Sequence, residues 1–296
     1  MNGSGALVTE FALLAALCWG FADFIWAKAA KNIGPALSIA LAGVLEAPLV
    51  VIFYLLSNHH WIFNGTAFIF AAFAGLIFTV GGSLFFIGLE KGPVSLVSPL
   101  ASMYPLITTI IAIVVFKSHL TSEELVGIII IVIGIFLTSG IVTAKKEDLK
   151  LNYGVKLALI TACLWGVAFS LLGQAISRIG WLNATLLEIC FGTVCLPFLL
   201  PLIKRKEDVS VKNVSKNLRN TYVLLATIIN LVGFFSLNFA ISKSTSNDGA
   251  VAAAISACYP IITIVLALKH FKENIKPAAI IGVLLGISGI VLLALA

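Results

Sequence analysis

The chain has 296 residues, of which 60% are apolar and 11% charged, with a formal net charge of +6. Soluble globular chains carry roughly 25% charged residues, so a water-soluble domain is excluded, and with it a disordered or disulfide-stapled chain. What remains is an integral membrane protein whose Lys and Arg sit mostly in short connections between apolar runs, and that pattern leaves no basic, aromatic-studded patch for a nucleic acid.

A helix needs roughly 20 apolar residues to cross hydrocarbon. Runs of that kind fall at 9–29, 35–57, 66–89, 93–116, 122–142, 152–176, 182–203, 221–241, 248–269 and 276–296, which makes ten. A β-barrel would need about ten-residue segments of alternating polarity. The run Gly-Ile-Ile-Ile-Ile-Val-Ile-Gly from Gly127 to Gly134 does not alternate. A helix satisfies its own backbone in lipid, so each run is predicted to be helical. No Lys or Arg precedes the first run and no small-residue cleavage site follows it, so it is read as a retained span rather than a signal peptide. Only the connections 143–152 and 204–220 are notably polar, and none is long enough for a soluble domain.

Polar residues inside such runs carry the functional information, because a charge at the bilayer centre costs about 2.5–3.5 kcal/mol on insertion scales. Helix 1 holds Trp19-Gly20 and, one turn on, Asp23, which faces either a cavity or the interface; Lys28 beyond it can snorkel. Helix 2 holds Glu46 among Ala42, Gly43 and Ala47, and His59 and His60 follow in a solvated turn. Helix 3 has Ser83 and Glu90. Helix 4 has Ser95, Ser98 and Ser102, with Pro99, ahead of Tyr104-Pro105; helix 9 repeats this with Ser256 and Tyr259-Pro260. Each proline removes a backbone hydrogen bond and kinks its helix, so each Tyr reads either as a cavity-lining hydroxyl or as filler beside a packing kink. Helix 6 carries Trp165-Gly166 and helix 7 carries Glu188. Helix 8 has Asn230 and Asn238, eight residues apart and read as sharing a face. An amide in lipid wants partners, as cavity lining or as an interhelical tie.

Glu46 and Glu188 have two readings. One is proton or cation coupling, or a counter-charge for a cationic part of the solute, since a carboxyl removed from water can load and release a proton. The other is a protonated, hydrogen-bonded packing residue. Gly127 with Gly134, and Gly282, Gly286 and Gly289, form small-residue faces on helices 5 and 10, internal or between copies, so the protein is read as a monomer or homodimer. Cys18, Cys163, Cys190, Cys195 and Cys258 lie in apolar runs without a CxxC pair and read as packing residues, with no metal site or cofactor expected.

The two halves resemble each other. Leu17-Cys18-Trp19-Gly20 matches Cys163-Leu164-Trp165-Gly166, and Ile33-Gly34 matches Ile179-Gly180, both 146 residues apart. Tyr104-Pro105-Leu106-Ile107-Thr108 matches Tyr259-Pro260-Ile261-Ile262-Thr263 at 155, as do Phe116 with Phe271, Gly127 with Gly282 and Gly134 with Gly289. Five helices is an odd number, so two copies joined head to tail enter the membrane from opposite sides. The expectation is an all-α integral membrane protein of ten transmembrane helices in an inverted 5+5 repeat, 1–146 and 147–296, the arrangement many secondary transporters build around a midplane site.

Trp-Gly early in each half, Tyr-Pro in the fourth helix and a Lys-x-x-Glu-like ending before a Gly-rich fifth helix also resemble the EamA-type branch of the drug/metabolite transporter superfamily. The resemblance spans nearly the whole chain. It implies an inverted ten-helix carrier of small organic molecules such as amino acids, nucleotide-sugars, drugs or metabolites. The chain departs from it at His119, where Glu273 stands in the second half, and at Glu46 and Glu188, where many relatives carry an Arg in the second helix.

The connections after helices 1, 3, 5, 7 and 9 gather 16 Lys and Arg, against 3 (Lys117, Arg178 and Lys243) on the other side. The positive-inside rule makes the first set cytoplasmic and both termini external, whereas the family is usually drawn with both inside. The functional expectation is a cell-membrane carrier working by alternating access on a small-molecule substrate, bound through Trp19, Asp23, Glu46, Ser83, Ser98, Tyr104, Trp165, Glu188, Asn230, Asn238 and Tyr259. Without a GxxxxGK[ST] loop, ATP does not drive it directly. An intramembrane enzyme would need HExxH or paired intramembrane Asp, and neither occurs, since Asp148, Asp208 and Asp248 lie in or near connections. A channel or scaffold subunit is the remaining alternative, against which the duplication argues.

Overall fold

The computed structural model describes residues 3–138, 153–203, 209–218, 220–244, 249–271 and 277–295. Most of both polar connections, with Lys145, Lys146, Lys150 and Asp148 in one and Lys204, Arg205, Lys206, Asp208 and Arg219 in the other, lies outside these residues, as do Asp248, Lys272, Glu273 and Lys276.

Among the described residues every element is helical: α1 Gly3–Ile33, α2 Pro35–Leu56, α3 Gly65–Lys91, α4 Val94–Ala101, α5 Tyr104–Val114, α6 Ser122–Thr138, α7 Tyr153–Ile179, α8 Trp181–Ile203, α9 Val211–Asn217, α10 Thr221–Lys243, α11 Ala250–Ser256, α12 Pro260–Phe271 and α13 Pro277–Leu295. Seven segments are long and apolar enough to cross a membrane, α4 and α5 counting together as Val94–Val114, and shorter apolar helices cover Ala250–Leu266 and Ile280–Leu293. Large apolar side chains cover the outer surface, Leu56 and Phe63 at 77% exposure among them. In water that would be an interaction patch; on a multi-pass membrane protein it is the lipid face.

Local chemistry sets the breaks. Gly34 (φ 89°) and Gly180 (φ 77°) turn α1 into α2 and α7 into α8 within one residue, in a region L side chains avoid. Two predicted spans, 93–116 and 248–269, are each divided in two, over 102–103 and over 257–259. Pro105 stands at the start of α5 and Pro260 opens α12, where a missing N–H costs nothing. α6 starts on a capping box: Thr121 Oγ1 accepts from the Glu124 amide (3.1 Å) and Glu124 Oε2 from the Thr121 amide (2.8 Å).

The elements pack mainly across the two halves: α3 on α7, α1 on α10, and α6 on α13. Glycines permit each approach. A Cβ on Gly81 would lie 2.8 Å from Trp165 Cδ1 and Nε1, and one on Gly233 would lie 2.6 Å from Trp19 Nε1. One on Gly134 would lie 2.7 Å from Gly282 O and Gly286 N, so the small-residue faces of α6 and α13 meet each other within the chain. The contacts occur in exchanged pairs. Thr108 Oγ1 donates to Gly166 O (3.2 Å) and Thr263 Oγ1 to Gly20 O (3.1 Å). These are the positions that match at offsets of 155 and 146 in the sequence.

Candidate functional site

Where α1, α2, α3, α5, α7, α8 and α10 converge they leave a cavity of about 150 Å³. Three carboxyls reach it, one each from α1, α2 and α8. Asp23 Oδ2 accepts from Ser98 Oγ at 3.0 Å. Glu46 Oε1 accepts from Asn230 Nδ2 at 2.7 Å. Glu188 is 4% exposed and its Oε2 has no hydrogen-bond partner. Glu188 owes its position to a glycine crossing. A Cβ on Gly192, one turn along α8, would lie 2.9 Å from Gly75 O and 2.5 Å from Thr79 Oγ1, so α3 and α8 touch backbone to backbone there.

The rest of the wall is largely aromatic, ten of its 23 lining residues. Trp19 meets Phe234 edge-on (5.3 Å between centroids) and Tyr259 likewise (6.1 Å). Phe169 lies between Tyr104 (4.7 Å) and Phe78 (4.7 Å), and Trp26 meets Phe86 at 5.3 Å. Such tilted and edge-on pairs hold each ring by its neighbour. The two tyrosines sit at the helix breaks and bond across the halves: Tyr104 Oη with Ser256 Oγ at 2.9 Å, and Tyr259 Oη donating to Ser98 O at 3.5 Å. Ser98 thus ties Asp23 to Tyr259 without lining the cavity itself.

Of the residues proposed from sequence, Trp19, Asp23, Glu46, Tyr104, Trp165, Glu188, Asn230 and Tyr259 line the cavity. Ser83 bonds back to Thr79 O (2.7 Å) within α3. Asn238 donates to Thr185 Oγ1 (2.7 Å), tying α10 to α8 away from the cavity. Glu90 pairs with Lys91 (2.6 Å) at the end of α3, and the Lys28 ammonium lies 5.1 Å over the Phe24 ring. Sequence reasoning passed over Thr79, Thr193 and Gly192, and the rings Phe78, Phe85, Phe86, Phe169 and Phe234. Spacing was the available signal: Phe169 stands one turn after Trp165, and Gly192 one turn after Glu188.

Beyond the cavity, toward the starts of α1, α3 and α8 and the end of α10, a second group of rings closes up. Phe11 meets Phe239 at 4.6 Å, Trp181 meets Phe239 at 5.8 Å and Phe235 at 5.9 Å, and Phe68 meets Phe191 at 5.1 Å.

The family model of the EamA-like transporter family matches residues 8–140 and again 152–295. The chain is similar to a protein of Archaeoglobus fulgidus named as an uncharacterized transporter, 23% identical over 291 residues and covering 96% of both chains. It is also similar to an uncharacterized protein of Methanocaldococcus jannaschii, 30% identical over 127 residues, which are 43% of this chain and 92% of that one. A crystal structure superposes with a TM-score of 0.66 at 14% identity, covering 99% of this chain and 96% of the other, and so shares its fold.

Proposed function

Since this chain belongs to the EamA-like transporter family, and is thus a multi-pass membrane transporter, we propose that it is a secondary carrier moving a small organic solute by alternating access. The observation that carries the proposal is the exchanged set of contacts around one cavity. Thr108 reaches Gly166 as Thr263 reaches Gly20, and Gly81 lies under Trp165 as Gly233 lies under Trp19. Two related five-helix units, 1–146 and 147–296, threaded in opposite senses, account for that exchange and for ten spans. The second match of the family model, and a relative that aligns over most of its length with less than half of this chain, favour the same division.

Lining residues on three helices lie toward one end, Asp23 and Trp26 in the later part of α1, Ile39 to Gly43 in the earlier half of α2 and Gly82 to Phe86 in the later half of α3, whereas on α7, α8 and α10 they straddle the middle. Those helix ends carry Lys28, Lys31 and Lys91. By the positive-inside rule this conformation faces the cytoplasm of a cell membrane, with both termini outside. Glu46 and Glu188, facing one cavity without a basic neighbour, are the proposed coupling groups. One of them takes up a proton from the open side and releases it on the other.

Counterflow in proteoliposomes tests the carrier. Preloading with unlabelled solute is expected to accelerate uptake of labelled solute, with saturation. Flux that rises linearly with concentration and ignores preloading would overturn alternating access.

A further inference from the structure

Resting on that carrier reading, we infer that the transported solute is a small organic cation: an ammonium, primary or quaternary, on a short apolar body. Three observations point the same way.

The first is charge. Asp23, Glu46 and Glu188 line one cavity, and no Lys, Arg or His lines it among the described residues. An anion would meet three carboxyls and no cationic group, the Trp19 indole N–H, buried without a partner, being a neutral donor. A zwitterion such as a free amino acid would place its carboxylate without a cationic partner. The broken helices do not supply one through their N-termini. Pro105 and Pro260 have no N–H, the Leu106 amide donates to Met103 O (3.2 Å), and the Ile262 amide donates to Tyr259 O (3.1 Å). The Asn230 amide is already given to Glu46.

The second is the unused acceptor. Asp23 and Glu46 each have a donor, whereas Glu188, a lining residue, has its Oε2 buried with none. A buried acceptor left bare is costly, and an N–H or polarised C–H donor entering the cavity relieves it. The third is the wall. Aromatic faces attract a cation within about 6 Å of their centroids, and rings around a quaternary ammonium are a recurrent way of binding one. Trp19, Phe78, Phe169, Phe234 and Tyr259 lie on that wall. The cavity, about 150 Å³, has room for a molecule the size of benzene.

The test is equilibrium binding to the purified full-length protein in detergent, followed by calorimetry and by the fluorescence of the cavity tryptophans. Four probes of similar size are used: isobutylammonium, tetramethylammonium, isobutanol and isobutyrate. At least one of the two cations is expected to bind about tenfold more tightly than isobutanol, the weight of one charge-assisted contact, and isobutyrate more weakly still. Glu188→Gln is expected to bring cation and alcohol to within about threefold. The inference is overturned if neither cation binds more tightly than isobutanol, absence of all binding included, if isobutyrate binds as well as the cations, or if Glu188→Gln keeps the preference. The ranking in the unaltered protein decides the matter even where that variant fails to fold. Binding without counterflow would refute the carrier and leave the inference standing; counterflow of neutral or anionic solutes alone would do the reverse.

Discussion

Gly81 and Gly82 are neighbours in α3 that face different surroundings, and replacing each by alanine separates two roles. A Cβ on Gly81 would lie 2.8 Å from two atoms of the Trp165 ring. Ordinary contact begins at 3.4 Å, so the ring must give by at least 0.6 Å (3.4 − 2.8). It has little room, with Phe85 at 5.1 Å and Tyr104 at 6.4 Å between centroids. A Cβ on Gly82 would meet only Ile39 Cδ1, at 3.4 Å. Both changes gain the same helix propensity, about 1 kcal/mol. Their difference therefore isolates the collision, and overpacking of this kind costs about 1–3 kcal/mol. Thermal unfolding in one detergent, followed by tryptophan fluorescence, is expected to place Gly81→Ala below Gly82→Ala by that amount. Gly82→Ala instead puts a methyl into the cavity, so it should keep its stability and lose affinity for the larger solutes. Equal melting temperatures, or a lower one for Gly82→Ala, would refute the packing argument.

Gly134→Ala at the α6–α13 seam presses on the backbone of Gly282 and Gly286 rather than on a side chain. It should destabilise by about 1–3 kcal/mol or more, read as lost folded yield on size-exclusion chromatography. Asn230→Ala strips Glu46 of its donor and is expected to cost about 1–3 kcal/mol; an unchanged melting temperature would show that the amide is dispensable. In proteoliposomes, Glu46→Gln and Glu188→Gln together should abolish flux driven by a pH gradient, and any counterflow that remains should need about tenfold more solute; pH-driven flux that survives in the double variant sinks the coupling role. A reporter fused at Ala296 is expected to act on the external side, and cytoplasmic activity would reverse the orientation.

The charged and kinked parts of the site were legible in the chain because they contrast with their surroundings. Asp23, Glu46 and Glu188 are carboxyls in apolar runs, and Pro105 and Pro260 mark the helix breaks by the N–H they lack. The aromatic wall was not legible, since Phe78, Phe169 and Phe234 have no contrast with neighbouring Leu and Ile. Asn238 shows a limit of spacing arguments. At about 100° per residue, eight residues carry a side chain two turns along and about 80° round, enough to turn it from the cavity that Asn230 lines toward Thr185 on α8. The register of the carboxyls has a similar explanation. The offset of 146 pairs Glu46 with Gly192, one turn beyond Glu188, and both positions line the cavity. The second carboxyl stands one turn earlier, and the glycine at the matching position lets α3 approach.

In a carrier of the kind proposed, the stack formed by Phe11, Phe239, Trp181 and Phe235 would be the stopper in the neck of a flask. Drawing it out would mean parting three ring pairs, each worth about 0.5–1.5 kcal/mol beyond the apolar area it hides, which would hold an empty carrier of that kind on one side. The energy to lift the stopper has to come from whatever settles below it, and turnover then tracks how firmly that cargo grips the walls.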